Sequence, residues 1–331
     1  MTCPRGTLIC FLLLIILAGA AGPSPGLAGA AGLRVLHMPY LGFAPIFVAE
    51  EEGYFAEEGL EIEFVRMNRS SQAIPLLIKG ELDVVAGTNS FSLFNAMDQG
   101  ARIRVVGGRG YVAAGGCVGT AIMVNSCLDL SPENLTADNL RGLKSAVNPM
   151  SSNAFFFERF LKKYGLSMED LEITDVSNSL KPEAFRNRAI DLAHASEPWV
   201  TRIRRSGSSA VLASAGDLIP GYQKGLIIFG PNLLDEKPDL GTKFMRAYLK
   251  GVAALDKGKT ERNIGILSKH TKLEADFLKE ACWPSFMADG SVSTESILEF
   301  QEWGVTRKAL DRVIPAGEFY DPRFITGAGR R

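Results

Sequence analysis

Residues 42–65 read GFAPIFVAEEEGYFAEEGLEIEFV, and residues 74–90 read IPLLIKGELDVVAGTNS. The first stretch begins with a helical pattern, Ile46 to Glu52, that stops at Gly53, a residue suited to terminating a helix. Tyr54 to Gly59 adds a further short turn of helix. Leu60–Val65 then alternates apolar and charged residues, which predicts a strand. In the second stretch a helix ends at Gly80, and Leu82–Ala86 reads as a buried strand followed by Gly87-Thr88-Asn89-Ser90. Working outward, Leu33–Met38 is a short apolar strand. Phe91–Gln99 is a helix closed by Gly100, and Arg102–Val106 is another strand. Strand and helix alternating in this order imply a mainly parallel sheet with helices on both faces. Within it, Tyr54 and Phe55 are read as packing aromatics, Glu50–Glu52 as a solvated helix face, and Asp83 as a backbone-bonding residue at a strand entry.

The middle of the chain repeats the theme. Strands are predicted at Thr120–Asn125, Leu143–Val147, Leu171–Asp175, Asp191–Ala195 and Val211–Ser214. Helices are predicted at about Asn153–Tyr164 and Lys181–Arg188. After the apolar run Leu226–Gly230 the pattern turns helix-rich, over 238–255, 262–269, 273–281 and 293–303.

The 331 residues hold 36 Lys and Arg against 37 Asp and Glu, a net charge of −1, which removes any bulk electrostatic case for nucleic acid. Three histidines leave little for a His-rich metal site, and no Cys/His spacing for zinc occurs. Residues 1–30 read as a cleaved signal peptide: Arg5, an apolar run Leu8–Ala18, then small residues. Export leaves Cys117, Cys127 and Cys282. They stand either as small buried thiols or, in an oxidising compartment, with a Cys117–Cys127 bridge.

The phrase Glu52-Gly53-Tyr54-Phe55-Ala56-Glu57-Glu58-Gly59-Leu60, followed by KGELDV and later by Ser196-Glu197-Pro198-Trp199, resembles the periplasmic solute-binding proteins of ABC importers. The branch it is similar to is the nitrate/sulfonate/taurine and thiamine-pyrimidine-precursor group (NMT1/THI5-like and SsuA-like). The resemblance runs from Leu33 to about Trp303. It implies a two-lobed α/β fold of the type II periplasmic-binding-protein kind, hinge-linked, with the ligand cleft between lobes. Lobe 1 is expected at 33–124 plus 225–331 and lobe 2 at 125–224. It also implies a small-molecule ligand, a membrane permease with its ATPase as partner, a periplasmic monomer, and no cofactor.

Ligands of parallel α/β sheets bind at the carboxyl ends of strands. That rule selects Phe43, Asn68, Thr88 and Asn89 in the first lobe, with Ser70 and Ser71 as helix caps or anion donors. In the second it selects Ser151, Ser152, Asn153, Glu197 and Trp199. Ser151 and Ser152 open a helix, and so either cap it or hold an anion. Phe43 and Trp199 offer flat rings, and Tyr111 is read as a surface aromatic. Two roles stand for Glu197: a partner for a protonated nitrogen, or a helix-start carboxylate bonded to backbone N–H groups. The first favours a nitrogen heterocycle, whereas Arg66 and Arg69 favour an anion. No GxSxG elbow, P-loop or dinucleotide fingerprint appears, and His194 is read as structural. The expectation is therefore an exported binder without catalytic or metal-binding residues, taking a sulfonate, carboxylate or pyrimidine-like solute. A ligand sensor, or an enzyme on the same fold such as a pyrimidine-precursor synthase, is the alternative.

Overall fold

A computed structural model describes residues 30–67, 70–149 and 151–329. The expected signal peptide and Asn68 lie outside the described residues, as do the side chains of Ser70 and Ser71. Among the described residues no helix is long and apolar enough to cross a membrane.

The chain builds two five-stranded sheets. The first contains β1 (Ala31–His37), β2 (Leu60–Arg66), β3 (Val84–Thr88), β4 (Arg104–Gly108) and β10 (Gly225–Phe229), in the order β2-β1-β3-β10-β4. The second contains β5 (Thr120–Asn125), β6 (Lys144–Ala146), β7 (Glu172–Thr174), β8 (Leu192–Ser196) and β9 (Ser209–Ser214), in the order β7-β6-β8-β5-β9. In each sheet four strands run one way. The fifth, β10 or β5, is antiparallel to both its neighbours. These two are the strands by which the chain arrives from the other sheet, and their direction follows from that entry. Both are buried along their whole length, which explains the unbroken apolar run GLIIF.

Helices cover the sheets. In the first lobe they are α1 (Ala44–Glu51), α2 (Tyr54–Glu57), α3 (Ile74–Ile78) and α4 (Phe91–Asp98). In the second they are α5 (Ala137–Leu140), α6 (Ser152–Lys162), α7 (Lys181–Arg186), α8 (Trp199–Arg205) and α9 (Ala215–Leu218). The C-terminal part adds α10 (Pro238–Leu255), α11 (Glu261–Thr271), α12 (Ala275–Glu280) and α13 (Thr294–Thr306). Gly53 adopts φ 76°, a left-handed conformation that glycine enters without steric cost, and it turns α1 into α2. Phe55 is then buried in a stack on Phe244 of α10. The acidic run closes on basic partners: Glu51 on Lys269 and His270, Glu52 on Arg262. Asp83 accepts from the Arg34 backbone N–H at 2.7 Å and from Asn232 Nδ2 at 2.7 Å, so it ties the entry of β3 to the middle of β1 and to the segment after β10.

Two features differ from the sequence reading. First, β5 belongs to the second sheet throughout, so the passage between sheets precedes it. Residues 109–112 run antiparallel to 221–225, with Arg109 N–H donating to the Gly225 carbonyl (2.8 Å), Val112 N–H to Tyr222 (2.9 Å) and Gly221 N–H to Val112 (2.7 Å). Tyr111 is half-buried, and its backbone bridges Gln223 and Ser285 within this crossing. Second, the disulfide joins Cys117 to Cys282, and Cys127 is an exposed free thiol. The reason is geometric. Cys117 precedes β5 and Cys127 follows it, and six extended residues span about 20 Å. A bridge needs Cα atoms within about 7 Å, and those of Cys117 and Cys282 lie 5.5 Å apart.

Helices α1 and α10 pack closely. A Cβ on Gly251 would fall 2.1 Å from the Pro45 carbonyl oxygen. Alanine gains about 1 kcal/mol of helix propensity over glycine, but overpacking against backbone costs about 1–3 kcal/mol. Gly251→Ala is therefore expected to lower the urea midpoint; a raised midpoint would show that α1 can yield there.

Candidate functional site

The carboxyl end of β1 leads through Met38–Tyr40 into a 3-10 turn, Leu41–Phe43, that starts α1. Phe43 is fully buried. The guanidinium of Arg109, the residue just after β4, lies over its ring at 4.7 Å. Gly42 permits this placement, because a Cβ there would sit 2.3 Å from Arg109 Nη1. Arg109 is 7% exposed, and its Nη2 donates to the Gly87 carbonyl at 2.8 Å. Its buried Nε has no hydrogen-bond partner among the described residues. No carboxylate among them forms an ion pair with it. Burial pushes its pKa down to about 10, so the charge is retained at neutral pH in a poorly solvated place.

Thr88 ends β3, half-buried, and Asn89 follows at 1% exposure. Asn89 Nδ2 donates to the Tyr222 hydroxyl (3.2 Å) and the Gln223 carbonyl (3.0 Å), while its Oδ1 has no partner among the described residues. Ser90, next in sequence, caps α4.

Across the crossing, Thr120 at the start of β5 pairs in register with Ser196 at the end of β8. Their hydroxyls are 3.2 Å apart. The half-buried Lys224 donates its Nζ hydrogens to both, at 3.3 Å for Ser196. Burial first, and then the charge of Arg109, pull the Lys224 pKa down to about 8, against an opposing pull from Glu197. Both cations thus stand at the strand ends; among the described residues each bonds to neutral oxygens, and Lys224 feels the charges of Arg109 and Glu197.

Glu197 is occupied by the protein itself. Its Oε1 accepts from Thr201 Oγ1 (2.7 Å) and from the Cys282 backbone N–H (3.0 Å), and its Oε2 from the Thr201 N–H (3.2 Å). Burial raises its pKa, against these hydrogen bonds. This is the helix-start role and leaves little capacity for a ligand amine. The Glu197–Pro198 peptide bond is cis. Trp199 packs on the second core beside Val200 and Ile203 of its own helix, with Arg202 over its ring at 4.6 Å and its Nε1 without a partner among the described residues.

Ser151 does not cap α6 with its side chain; its hydroxyl donates to the Asn148 carbonyl at 2.7 Å. Ser152 and Asn153 are half-buried in the first turn. One turn on, Phe155 stacks on Tyr222 (5.3 Å between centroids) and meets Trp303 edge-on (5.6 Å). Glu158 pairs with Arg307 and accepts from Trp303 Nε1, and Arg159 pairs with Glu299. So α6 is laid against α13. His194, 3% exposed, stands edge-on to Phe156, and burial holds its pKa well below the usual imidazole range. It is a neutral packing residue.

Phe43, Thr88, Asn89 and Glu197 therefore gather near the crossing. Ser151–Asn153 and Trp199 stand in the second lobe. Sequence reasoning missed Arg109, Thr120 and Lys224. Their signal was a charged or polar residue abutting a short buried apolar run: Arg109 after VVGG, Thr120 before AIMV, and Lys224 before GLIIF. No group of three or more His, Cys, Asp or Glu among the described residues could hold a metal ion. A surface hollow of about 390 Å³, lined by Arg159, Lys162, Lys163, Asp217 and Leu218, lies away from these residues.

Residues 28–267 match the model of the NMT1-like family. No curated protein matches the sequence. Solved structures share the fold. The ligand-binding component of an ABC-type import system from Staphylococcus aureus, with zinc bound, is 16% identical at a TM-score of 0.75, covering 91% of this chain and 100% of that one. The periplasmic aliphatic sulphonate binding protein SsuA from Escherichia coli is 18% identical at 0.69, covering 86% and 95%. The desulfurization enzyme DszB is 14% identical at 0.61, covering 90% and 98%.

Glu197→Gln replaces an acceptor-only group by one that turns an amide N–H toward another donor. It is expected to lower the free energy of unfolding by about 1–3 kcal/mol, read from urea unfolding followed by tryptophan fluorescence. An unchanged midpoint would mean that the carboxylate is free to serve a ligand.

Proposed function

The chain belongs to the NMT1-like family, and from that premise we propose that it is the exported solute-binding component of an ABC-type importer. It captures a small organic anion, a sulfonate or carboxylate, between its lobes. It then presents the closed form to a membrane permease, which an ATPase drives. The reading divides the lobes at the crossing pair: 31–110 with 225–329 in one, 111–224 in the other. Closure is a hinge motion about two short crossings, and the protein works as a periplasmic monomer after loss of its signal peptide. The single observation that carries the choice of an anion is the Arg109–Lys224 pair. The charge of Arg109 pulls the Lys224 pKa down by more than Glu197 pulls it up, and an anion arriving there relieves that repulsion. Guanidinium and ammonium donors also match sulfonate and carboxylate oxygens. The binding of sulphonate by SsuA supports the same class. A protonated nitrogen heterocycle loses its partner, because Glu197 is bonded to Thr201 and Cys282. Binding without chemistry agrees with His194 being packed against Phe156 rather than offered to a solute.

The Lys224 pKa near 8 makes the pH dependence specific. An anion needs the ammonium form, so affinity is full below pH 8 and falls as pH rises through that value. The loss reaches about tenfold one unit above the pKa. Calorimetric titration with methanesulfonate from pH 6 to 9, with methanesulfonamide as the uncharged control, measures this. Lys224→Met is expected to weaken sulfonate binding at pH 7 and to flatten the profile. Equal binding of sulfonate and sulfonamide would overturn the anion assignment.

A further inference from the structure

The Cys117–Cys282 bridge lies where the two lobes meet, and its surroundings show what it restrains. Cys117 is exposed in the Gly115-Gly116-Cys117 loop that feeds β5, and the next residue, Val118, already packs on the second core. Cys282 is buried and follows α12, which rests on α11, which rests in turn on α1 of the first lobe. The bridge therefore joins the entry of the second sheet to the helical layer of the first. Non-covalent ties run beside it. The Cys282 N–H donates to Glu197 Oε1, the Tyr111 N–H donates to the Ser285 carbonyl (3.0 Å), and Arg205 of α8 pairs with Glu280 at the end of α12. The guanidinium of Arg205 also covers Phe277 at 4.9 Å. Glu197 links this strip to the binding cations, since its charge acts on Lys224.

We propose that Cys117–Cys282 is a redox-sensitive clasp: intact, it holds the 282–285 segment and α12 against the second lobe, and its reduction loosens the closed cleft. The chemistry is thiol–disulfide exchange with an external dithiol. One thiolate of the dithiol attacks the exposed Cys117 sulfur and the Cys117–Cys282 bond breaks. Cys282 leaves as a thiolate and takes a proton. The second thiol of the reductant then displaces Cys117 as a thiol, and the reductant departs as its own disulfide, having supplied two electrons. With the bridge gone, the Glu197–Cys282 and Tyr111–Ser285 hydrogen bonds must hold the segment by themselves. The clasp follows from where the chain places the bridge and stands whatever the solute proves to be.

The test is hydrogen exchange on the full protein in a Cys127→Ser background, which removes the free thiol, with and without dithiothreitol. Mass spectrometry establishes complete reduction as the gain of two hydrogens. The clasp predicts that the amides of Cys282, Glu197 and Tyr111 exchange at least about tenfold faster on reduction, while Val85 and Ile227 in the first sheet keep their protection. Cys117→Ala in the same background should reproduce the reduced pattern. Unchanged protection at Cys282 and Glu197 after full reduction would overturn the proposal. Equal acceleration at every amide would also overturn it, by making the bridge a general stabiliser of the fold.

Discussion

The backbone pairing of 109–112 with 221–225 is the constraint on which the rest depends. It is close: a Cβ on Gly225 would stand 2.1 Å from the Arg109 carbonyl oxygen, so glycine is required for the two crossings to touch. Because the crossings touch, β10 and β5 enter their sheets against the direction of the other strands. The same pairing places Arg109 over the ring of Phe43 and carries Lys224 to the hydroxyls of Thr120 and Ser196. Fold and candidate site thus share one origin. A change that separated the crossings would undo both.

The energetic logic of the site is that of buried charge. Removing an ammonium or guanidinium from water is costly unless hydrogen bonds or an opposite charge replace the lost hydration. At Lys224 two hydroxyls replace part of it, and at Arg109 an aromatic face and one carbonyl do. The carboxylate that acts on Lys224, Glu197, spends its oxygens on Thr201 and Cys282. On the proposed reading, two cations short of compensation favour an arriving anion, and burial is the first cause of the downward shift of both groups.

Much of the fold was legible in the sequence because it rests on local signals. The helix stop at Gly53, the alternation in LEIEFV and the apolar runs of β3 and β10 each marked their elements. The site was legible only as a set of strand-end loops. That rule picks out Phe43, Thr88 and Asn89 as candidates, because it follows from parallel sheet geometry alone, and the structure places them near the crossing. Arg109 and Lys224 were not, since their meeting depends on two crossings 115 residues apart in sequence (224 − 109), which no periodicity encodes. The disulfide was missed for a related reason. Cys117 and Cys127 are near in sequence, but a six-residue strand separates them, whereas Cys282 returns to Cys117 only through the docking of α12.

The most direct measurement is a crystal structure of the mature protein grown with selenate, an oxyanion that anomalous scattering locates without ambiguity. The account predicts the selenium peak between the lobes, with its oxygens in hydrogen-bond reach of Arg109 and Lys224. A peak at the first turn of α6 beside Ser152 and Asn153, with Arg109 and Lys224 uncontacted, would contradict it.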